Sequence, residues 1–410
     1  MKRSSSQPIG ISRSLPLLIA ALSMMGPFSI DTYLPSFREM EHSLHATPLQ
    51  IQQSLTAFLI PFAFMTLWHG ALSDAFGRRR VIISSLIVVA LSSIGCAFSP
   101  SIEVLWAFRV LQGLSAGVFV IGRAVVRDVY EGPTAQRVMS QVAVLFAIGP
   151  AIAPVLGGYL HESFGWRSVF VFIALFSAGI ARWAYSALPE TLLPAHRQPL
   201  QAGHLARSYA RTLTHPGFLA SSLAGAFNFT AIFLYVAGAP DLLLRHLRVE
   251  ETEFLWLFGP ITAGMMAGSF VSGRVAGRWN TRATLTWSYA LMSGATAGNI
   301  AFHAMNPAAL PWTVIPLFFY AMGMSLSLPT LTLIGLDFFP AHRGLASSCQ
   351  AFTLTAMNAV TAGVLVPLVS ASPLRFALLA GTMMIAGLFC YVMLRSVTKG
   401  GGGHQDSLPA

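Results

Sequence analysis

Residues 70–80 read Gly-Ala-Leu-Ser-Asp-Ala-Phe-Gly-Arg-Arg-Arg, and this stretch is the strongest indication of the fold. It separates two apolar runs, 55–72 and 81–98, each long enough to cross a bilayer as a helix. The connection must therefore turn within a few residues at a membrane surface. Gly70 and Gly77 suit a tight turn and a close helix approach. The stretch predicts a pair of membrane-spanning helices joined on one side by a short, positively charged loop.

The composition of the whole chain is typical of a membrane protein. Of its 410 residues, 54% are hydrophobic and 10% are charged, whereas soluble domains carry about 25% charged residues. The net charge of +10 would also suit nucleic acid, but the arginines cluster between apolar segments. We therefore predict a lipid bilayer as the partner and no nucleic acid.

The sequence contains no sign of a cofactor or a metal. Cys96, Cys349 and Cys390 lie in apolar stretches without the spacing of a redox or metal site. A P-loop of the form G-x-x-x-x-G-K-[ST] is absent from the sequence, so ATP is not expected to drive the process. We predict no cofactor, no metal and, because no catalytic cluster is visible, no enzymatic activity.

Hydropathy predicts an all-α membrane protein with twelve transmembrane helices in two six-helix halves. The predicted division is 1–188 for the first half, 189–216 for a cytoplasmic central loop with a short surface helix, 217–395 for the second half and 396–410 for a disordered cytoplasmic tail. Spans 1 to 6 are predicted at 14–36, 50–72, 81–99, 103–125, 137–160 and 167–188. Spans 7 to 12 are predicted at 217–239, 253–273, 282–304, 310–334, 344–369 and 373–395.

The distribution of basic residues predicts the orientation. Of the 25 arginines and lysines, 17 fall in segments on the side of the N-terminus, 5 on the opposite side and 3 within spans. Cytoplasmic loops carry the excess of positive charge in membrane proteins. Both termini and the central loop are therefore predicted to be cytoplasmic.

Asp31 is the strongest candidate for a proton-coupling residue. It lies within an apolar span, in Ser29-Ile-Asp-Thr-Tyr-Leu-Pro35, where an acid is costly and usually faces a cavity or a partner. Burial and a nearby cation act in opposite directions on a carboxylate, so such a group can exchange a proton as its surroundings change. The alternative is a carboxylate near the outer interface that only caps or packs.

Arg109 is the predicted partner of Asp31. It lies in span 4 at a similar depth, on a polar stripe that also holds Gln112 and Arg127. The alternative is a structural arginine bonded to backbone carbonyls. The sequence alone does not determine whether Asp31 and Arg109 touch.

The residues above resemble motifs of major facilitator superfamily transporters. The loop motif G-x-L-x-D-x-x-G-R-[KR] is matched at Gly70, Leu72, Asp74, Gly77, Arg78 and Arg79. Arg109-x-x-Gln112-Gly113 resembles the family's helix-4 motif, whose arginine is associated with proton coupling. The second half keeps Gly277 and Arg278 of the loop motif but has Arg274 at the position of the acid.

A more specific resemblance covers most of the first half. The motifs above, with Asp31-Thr-Tyr-Leu-Pro35, Arg127-Asp128-Val-Tyr130 and Phe164-Gly-Trp-Arg-x-x-Phe170, resemble the bicyclomycin/chloramphenicol-resistance (Bcr/CflA) type of drug:proton antiporter. The resemblance implies the major facilitator fold, a multi-pass location in the bacterial cytoplasmic (inner) membrane, a monomer, and protons and a small molecule as substrates.

Two segments are predicted to act as gates. Gly149, Pro150, Pro154, Gly157 and Gly158 in span 5 resemble the family's antiporter motif with an insertion. We expect their small-residue stripe to pack against a similar one in span 8, which runs from Gly259 to Gly268; the alternative is the ordinary packing of small residues in membrane helices. A second set follows from the loop motif: Gly70, Asp74, Gly77, Arg78, Arg79 and Arg127.

In the closed state of the loop gate, Asp74 is expected to cap a neighbouring helix or to pair with Arg127. The alternative is that the loop arginines only determine topology.

By analogy with the fold, the substrate cavity is predicted from spans 1, 4, 7 and 10. Its candidates are Met24, Pro27, Phe28, Tyr33, Gln112, Asn228, Ile232, Tyr235, Tyr320 and Met324. Each of them could equally face lipid or the core.

The predicted function is proton-coupled efflux of small, partly hydrophobic compounds by alternating access between the two halves. One alternative is a proton-coupled or facilitated transporter of a polar metabolite, which more often shows several charged cavity residues. A uniporter or a lipid-handling protein would not need Asp31 to titrate. A membrane enzyme would need a catalytic cluster at the interface.

Overall fold

The computed structural model describes residues 14–130, 132–192, 197 and 200–400, and all regular elements among them are helices. The first half contains α1 Leu15–Asp31, α2 Phe37–Ser43, α3 Pro48–Phe76, α4 Arg78–Ala97, α5 Ile102–Ser115, α6 Val118–Val129, α7 Gly132–Phe164 and α8 Trp166–Ala187. The predicted surface helix is α9, Ala202–Leu213.

The second half contains α10 Pro216–Ala237, α11 Leu255–Val275, α12 Thr281–Met305, α13 Ile315–Asp337, α14 Arg343–Val360, α15 Val366–Val369 and α16 Pro373–Gly400. Two π-helical segments, Pro240–Leu247 and Thr361–Leu365, follow α10 and α14. Short 3-10 turns lie at Leu34–Ser36 and Pro340–His342.

Every predicted span corresponds to a helix. Within the described ranges, 10 helical segments are long and apolar enough to cross a membrane. Two further long helices, α7 and α12, lie where spans 5 and 9 are predicted. Large apolar side chains such as Leu91, Leu175 and Phe389 point outward from the bundle, as expected of a surface in contact with lipid.

Three spans differ from their predicted continuity. Span 1 is interrupted after Asp31 because Pro35 has no N–H to bond the Asp31 carbonyl four residues earlier. Span 4 is divided into α5 and α6 at Gly117, where a Cβ would collide with the ring of His69. Span 11 contains the π-helical turn Thr361–Leu365.

Several predicted helix ends also differ from the structure, among them ends of α3, α6, α7, α13 and α16. Helix α3 continues to Phe76 rather than 72, so Gly70 lies inside the helix and not in a turn. Helix α16 continues to Gly400 rather than 395. Residues 1–13 and 401–410, which include most of the predicted tail, lie outside the described residues.

Each half is packed mainly against itself. In the first half α4 packs on α8, α3 on α5 and α1 on α7, and in the second α10 packs on α16 and α11 on α13. The halves meet chiefly where α3 contacts α14 and α7 contacts α11. This limited interface suits two bodies that rock against each other.

Candidate functional site

The largest described space between the halves is a cavity at one end of the bundle. We call this the arginine-rich end, because it holds Arg78, Arg127 and the start of α14. The other end of the bundle, which holds α2 and the π-helical segment Pro240–Leu247, is called the opposite end. The cavity has a volume of about 820 Å³. Its walls come from α3, α6, α9 and α14, including Asp74, Arg123, Leu205 and Ser348.

The surface helix α9 covers part of this cavity. The Tyr209 hydroxyl donates a 2.6 Å hydrogen bond to the carbonyl of Leu67 on α3. Tyr209 also packs with Ala346 and Cys349 of α14, so α9 touches both halves. Burial raises the pKa of Tyr209 to about 12, which keeps the hydroxyl protonated and able to donate at neutral pH.

The opposite end is closed by side chains that cross between the halves. The Gln52 amide donates to the carbonyls of Ala237 and Ala362 at 3.4 and 3.1 Å. Gln53 donates to the carbonyl of Gly363 at 2.8 Å. Two of these acceptors belong to the π-helical turn of α14–α15, where the wider hydrogen-bond pattern alters the direction of the carbonyls. At this end the two halves are therefore joined partly through backbone that is not regular α-helix.

An ion pair supports the same closure. Arg245 donates to Glu41 of the first half at 2.8 Å and to Asp241 of its own half at 2.9 Å. Burial raises the pKa of the Asp241 carboxyl, while the Arg245 guanidinium opposes that shift. Gly158 of α7 lies so close to the carbonyl of Glu251 that a side chain there would collide.

The junction between α3 and α4 consists of Gly77 alone. Its φ of 98° is a conformation that favours glycine, and a Cβ would collide with the Glu190 carboxylate. That carboxylate accepts a 2.9 Å hydrogen bond from the backbone N–H of Arg78 and so caps α4. The sequence analysis missed this capping role of Glu190, and the capping role expected of Asp74 in the closed state stays a prediction.

The charged side chains of this junction form a network around Arg78. Its guanidinium contacts Asp74 at 2.6 Å and Asp128 at 3.2 Å, and it donates to the Ser73 hydroxyl at 2.5 Å. The predicted Asp74–Arg127 pair is not among the ion pairs of the described residues. That prediction concerned the closed state, whereas this end is open here. Arg79 lies apart, with its guanidinium 5.2 Å from the centre of the Tyr185 ring.

Arg109 is wholly buried and is held by carbonyls and rings. It donates to the carbonyls of Ser29 and Ser54 at 3.0 and 3.3 Å and to Gln112 at 2.8 Å. Its guanidinium carbon lies 4.4 Å from the centre of the Tyr33 ring and 4.6 Å from that of Phe58. The Nη2 atom has no hydrogen-bond partner among the described residues.

Asp31 does not contact Arg109 in this conformation. The Asp31 side chain is 4% exposed, and within the part of the chain that the structure describes no hydrogen bond or ion pair reaches its carboxyl. In this conformation Arg109 reaches α1 through the Ser29 carbonyl, and a joint role of Asp31 and Arg109 in proton coupling stays a prediction. The contacts of Arg109 are those of the structural alternative.

None of the predicted cavity residues lines the large cavity. In the first half, Phe28 packs on Phe172 and Phe176, and Pro27 packs on Gly149. Gln112 donates to Ser93, and Tyr33 shares a hydrogen bond with Ser54. Met24, also on α1, is half-buried. Phe28, Pro27, Gln112 and Tyr33 therefore contact residues of their own half.

The second-half candidates form a buried polar cluster. Asn228 donates to Tyr289, and Asn299 donates to Tyr235 at 2.8 Å. Ile232, Tyr235 and Tyr320 line a cavity of about 10 Å³. Met324 is fully buried. A space of that size holds about one water molecule and no organic substrate.

The glycines of the predicted seal serve different contacts from those expected. Helix α7 does pack against α11, but Gly157 approaches the carbonyl of Thr32 in the first half. In span 8, Gly264 and Gly268 pack against the backbone of α13, in their own half. Pro150 and Pro154 lie inside α7. Most of these glycines therefore bring helices together within one half, whereas Gly158 lies against Glu251 of the other half.

Comparison with known proteins gives the family directly. The family model described as Major Facilitator Superfamily matches residues 17–362. The chain belongs to the Major Facilitator Superfamily. Members of this family are transporters of small molecules rather than enzymes, and the chain is a multi-pass membrane protein.

Relatives and a solved structure agree with this assignment. The chain is 31% identical over 345 residues to an uncharacterized MFS-type transporter, YdgK, of Bacillus subtilis, covering 83% of this chain and 86% of the relative. It is 31% identical over 259 residues to a bicyclomycin resistance protein homolog of Haemophilus influenzae, covering 63% and 65%. The crystal structure of a D-xylose-proton symporter superposes with a TM-score of 0.73 at 13% identity, covering 92% of this chain and 97% of that one. The predicted fold and the resemblance to bicyclomycin-resistance transporters are confirmed.

Proposed function

We propose that the protein exports small, partly hydrophobic compounds in exchange for protons, by alternating access across a bacterial inner membrane. The observation that carries this proposal is the asymmetry of the two ends. A cavity opens at the arginine-rich end, while the opposite end is closed by Gln52, Gln53 and Arg245. Because positive charge favours the cytoplasmic side, we propose that the cavity faces the cytoplasm and that both termini lie there.

The cavity suits a small amphipathic molecule. Its volume of about 820 Å³ falls within the usual range for ligand sites, about 300–1,000 Å³. Apolar side chains such as Leu67, Val120, Ile121 and Leu336 share its walls with a few charged groups. A compound entering from the cytoplasm or the inner leaflet meets these walls first.

Asp31 supplies the proposed proton site. An ionised carboxylate without a hydrogen-bond donor is costly in an apolar interior, so its surroundings favour the protonated acid in this conformation. Proton release towards the cytoplasm then resets the cycle, and outward opening exposes Asp31 to protons from outside. The buried Nη2 of Arg109 is one donor that a small movement of α1 could bring to the ionised form.

The energetics of such an exchange are sufficient. One charge moving across 100 mV supplies about 2.3 kcal/mol. At about 1.4 kcal/mol per tenfold, this sustains roughly a 40-fold gradient of exported compound. The name of the Haemophilus influenzae relative, a bicyclomycin resistance protein homolog, is consistent with export.

Transport of a polar metabolite is the alternative function, and the buried polar cluster of the second half would favour it. Asn228, Tyr235, Asn299 and Tyr320 carry the amide and hydroxyl groups that such a substrate needs. The cavity that Tyr235, Asn299 and Tyr320 line, about 10 Å³, has no room for such a substrate. Drug export therefore remains the better-supported proposal.

The test is proton flux in inverted vesicles that hold a pH gradient, with chloramphenicol and a panel of hydrophobic compounds as probes. We expect the wild-type protein to dissipate the gradient when a substrate is added, and Asp31→Asn to abolish this response. The matched control is Glu103→Gln, which neutralises an exposed acid at the start of α5. Wild-type flux that survives in Asp31→Asn would move the proton site elsewhere, and flux from no compound would reject export of this class.

A further inference from the structure

We infer that the buried polar cluster of the second half is a binding site for one water molecule, held by Tyr320, Thr296 and Asn299. The water joins α12 to α13, and the hydrogen bond from Asn299 to Tyr235 extends the connection to α10. The polar groups of the cluster therefore serve the packing of this half rather than an exported substrate. The inference depends neither on the direction of transport nor on proton coupling.

Three side-chain oxygens of the cluster lack a hydrogen-bond partner within the described part of the chain. They are the Tyr320 hydroxyl, Thr296 Oγ1 and Asn299 Oδ1. The three residues are 4, 7 and 4% exposed, so bulk water does not satisfy them. Folded proteins leave few buried polar groups unpaired, because each one loses its hydration without any return. Three such atoms in one place require a common partner.

All three side chains line the same space. It has a volume of about 10 Å³ and lies between α10, α12, α13 and α16. The rest of its wall is mostly apolar, with Leu317 and Ala380 among the contacts. A water molecule needs a space of about 10–15 Å³ and two to four polar partners. This space meets both requirements.

The donors and acceptors of the cluster match a water molecule. The Asn299 amide nitrogen already donates to the Tyr235 hydroxyl at 2.8 Å, so the amide oxygen is the atom left to bond. An amide oxygen only accepts, and it therefore requires a hydrogen from the bound molecule. The hydroxyls of Tyr320 and Thr296 can donate to the same molecule. Water gives a hydrogen to the first and accepts hydrogens from the other two.

A metal cation fits this site less well. Aspartate and glutamate are both absent from the described residues that line the space. A cation buried among neutral groups has no carboxylate to balance its charge, and that is costly in an apolar interior. A neutral water carries no such cost.

The test uses Tyr320→Phe and Thr296→Val in the full-length protein, because each variant removes one hydroxyl and keeps nearly the same shape. We expect each to lower the apparent melting temperature in detergent by about 2 °C or more, since the bound water loses a partner. If the hydroxyls have no partner, their removal should leave the melting temperature unchanged or raise it, because an unpaired buried polar group is itself destabilising. A rise or no change in both variants would overturn the inference.

The matched control is Thr262→Val on α11. Thr262 is also buried, and its Oγ1 also lacks a hydrogen-bond partner among the described residues, but it does not line this space. We expect its melting temperature to stay unchanged or to rise. A fall equal to that of Thr296→Val would overturn the inference, since it would show a general effect of removing buried hydroxyls.

The double variant tests whether Tyr320 and Thr296 share one ligand. Neither hydroxyl bonds the other, so unrelated losses should add. A shared water instead makes the double variant lose less than the sum of the two single losses. Additive losses would contradict a common ligand. A high-resolution density map of the wild type should show an isolated peak within about 3.2 Å of both hydroxyls.

Two further measurements separate water from other ligands. The melting temperature of the wild type should be the same in sodium chloride and choline chloride, and a rise specific to sodium that Thr296→Val abolishes would assign a cation instead. In the vesicle assay, Thr296→Val should keep the wild-type response to substrate. Loss of that response with an unchanged melting temperature would assign the cluster to the substrate. A wild type that responds to no compound would reject the proposed export without changing the melting results.

Discussion

The junction between α3 and α4 and the junction between α11 and α12 occupy equivalent places in the two halves, but they hold their helices differently. In the first, Gly77 alone separates the helices, and Arg78 is bound by Asp74 and Asp128. In the second, α11 ends at Val275 and α12 begins at Thr281. Neither Arg274 nor Arg278 has an acid partner among the described residues.

The comparison shows what the charged network adds to the fold. Both halves place a helical pair at this position, so the acids are not needed to form it. The second junction is longer and exposed, with Arg274 lying 4.3 Å from the centre of the exposed Phe270 ring. The acids of the first junction instead tie α3, α4 and α6 together, so the first half should move as one body at this end.

The largest expected effect is the loss of Arg78. Arg78→Gln leaves Asp74 and Asp128 without their common partner, and we expect a loss of about 3 kcal/mol in the free energy of unfolding. The equivalent change Arg278→Gln should stay within about 0.5 kcal/mol. Unfolding of both variants in detergent measures the difference, and equal effects at the two positions would remove the distinction between the junctions.

The second prediction concerns the two glycines with positive φ that lie at these junctions. Gly77→Ala should cost about 2 kcal/mol, because alanine is strained at a φ of 98° and its Cβ displaces the Glu190 cap. Gly277→Ala should cost about 1 kcal/mol, since its φ is 73° but no atom lies nearby. Thermal melting of both variants tests this order, and a larger loss at Gly277 would contradict it.

A third prediction isolates the cap at the start of α4. Glu190→Gln keeps an acceptor near the backbone N–H of Arg78 but removes the negative charge from the helix N-terminus. We expect a loss of about 1 kcal/mol, and this loss should shrink at high salt because the charge effect is screened. The control is Glu162→Gln, an exposed acid near the end of α7; an equal loss there would argue against a specific cap.

The smallest effect is expected from restoring the acid in the second junction. Arg274→Asp places an aspartate at the position equivalent to Asp74, but the separation of α11 from α12 keeps Arg278 outside helical spacing. The stability should change by less than about 0.5 kcal/mol. A gain of 1 kcal/mol or more in the same unfolding assay would show that the junction can close as the first one does.

Sequence reasoning predicted the spans well and the contacts between distant residues poorly. All twelve predicted spans contain a helix, because a bilayer demands long apolar runs and these are visible in one dimension. The sequence did not predict that Asp128 and Glu190 contact Arg78, because they lie 50 and 112 residues from Arg78 along the chain. Only their proximity in the fold gives them a role at this junction.

The cavity candidates do not line the large cavity of this conformation, for a related reason. A helical pattern groups residues such as Asn228, Ile232 and Tyr235 on one face, but it does not say whether that face meets the other half or its own. In the structure that face of α10 packs inside the second half, against α12, α13 and α16. The residues that do line the large cavity include Arg123 on α6 and Ser348 on α14, two helices from different halves.

The sequence by itself determined the fold class, the helix positions and the family, because each depends on local composition or on a short motif. Only the tertiary structure decided that Arg78 is shared by Asp74 and Asp128, that Arg109 binds carbonyls rather than Asp31, and that Gln52 and Gln53 close the opposite end. Those contacts join residues that are far apart along the chain. Their partners are selected by the way rigid helices pack in three dimensions, and no periodicity within one helix encodes that choice.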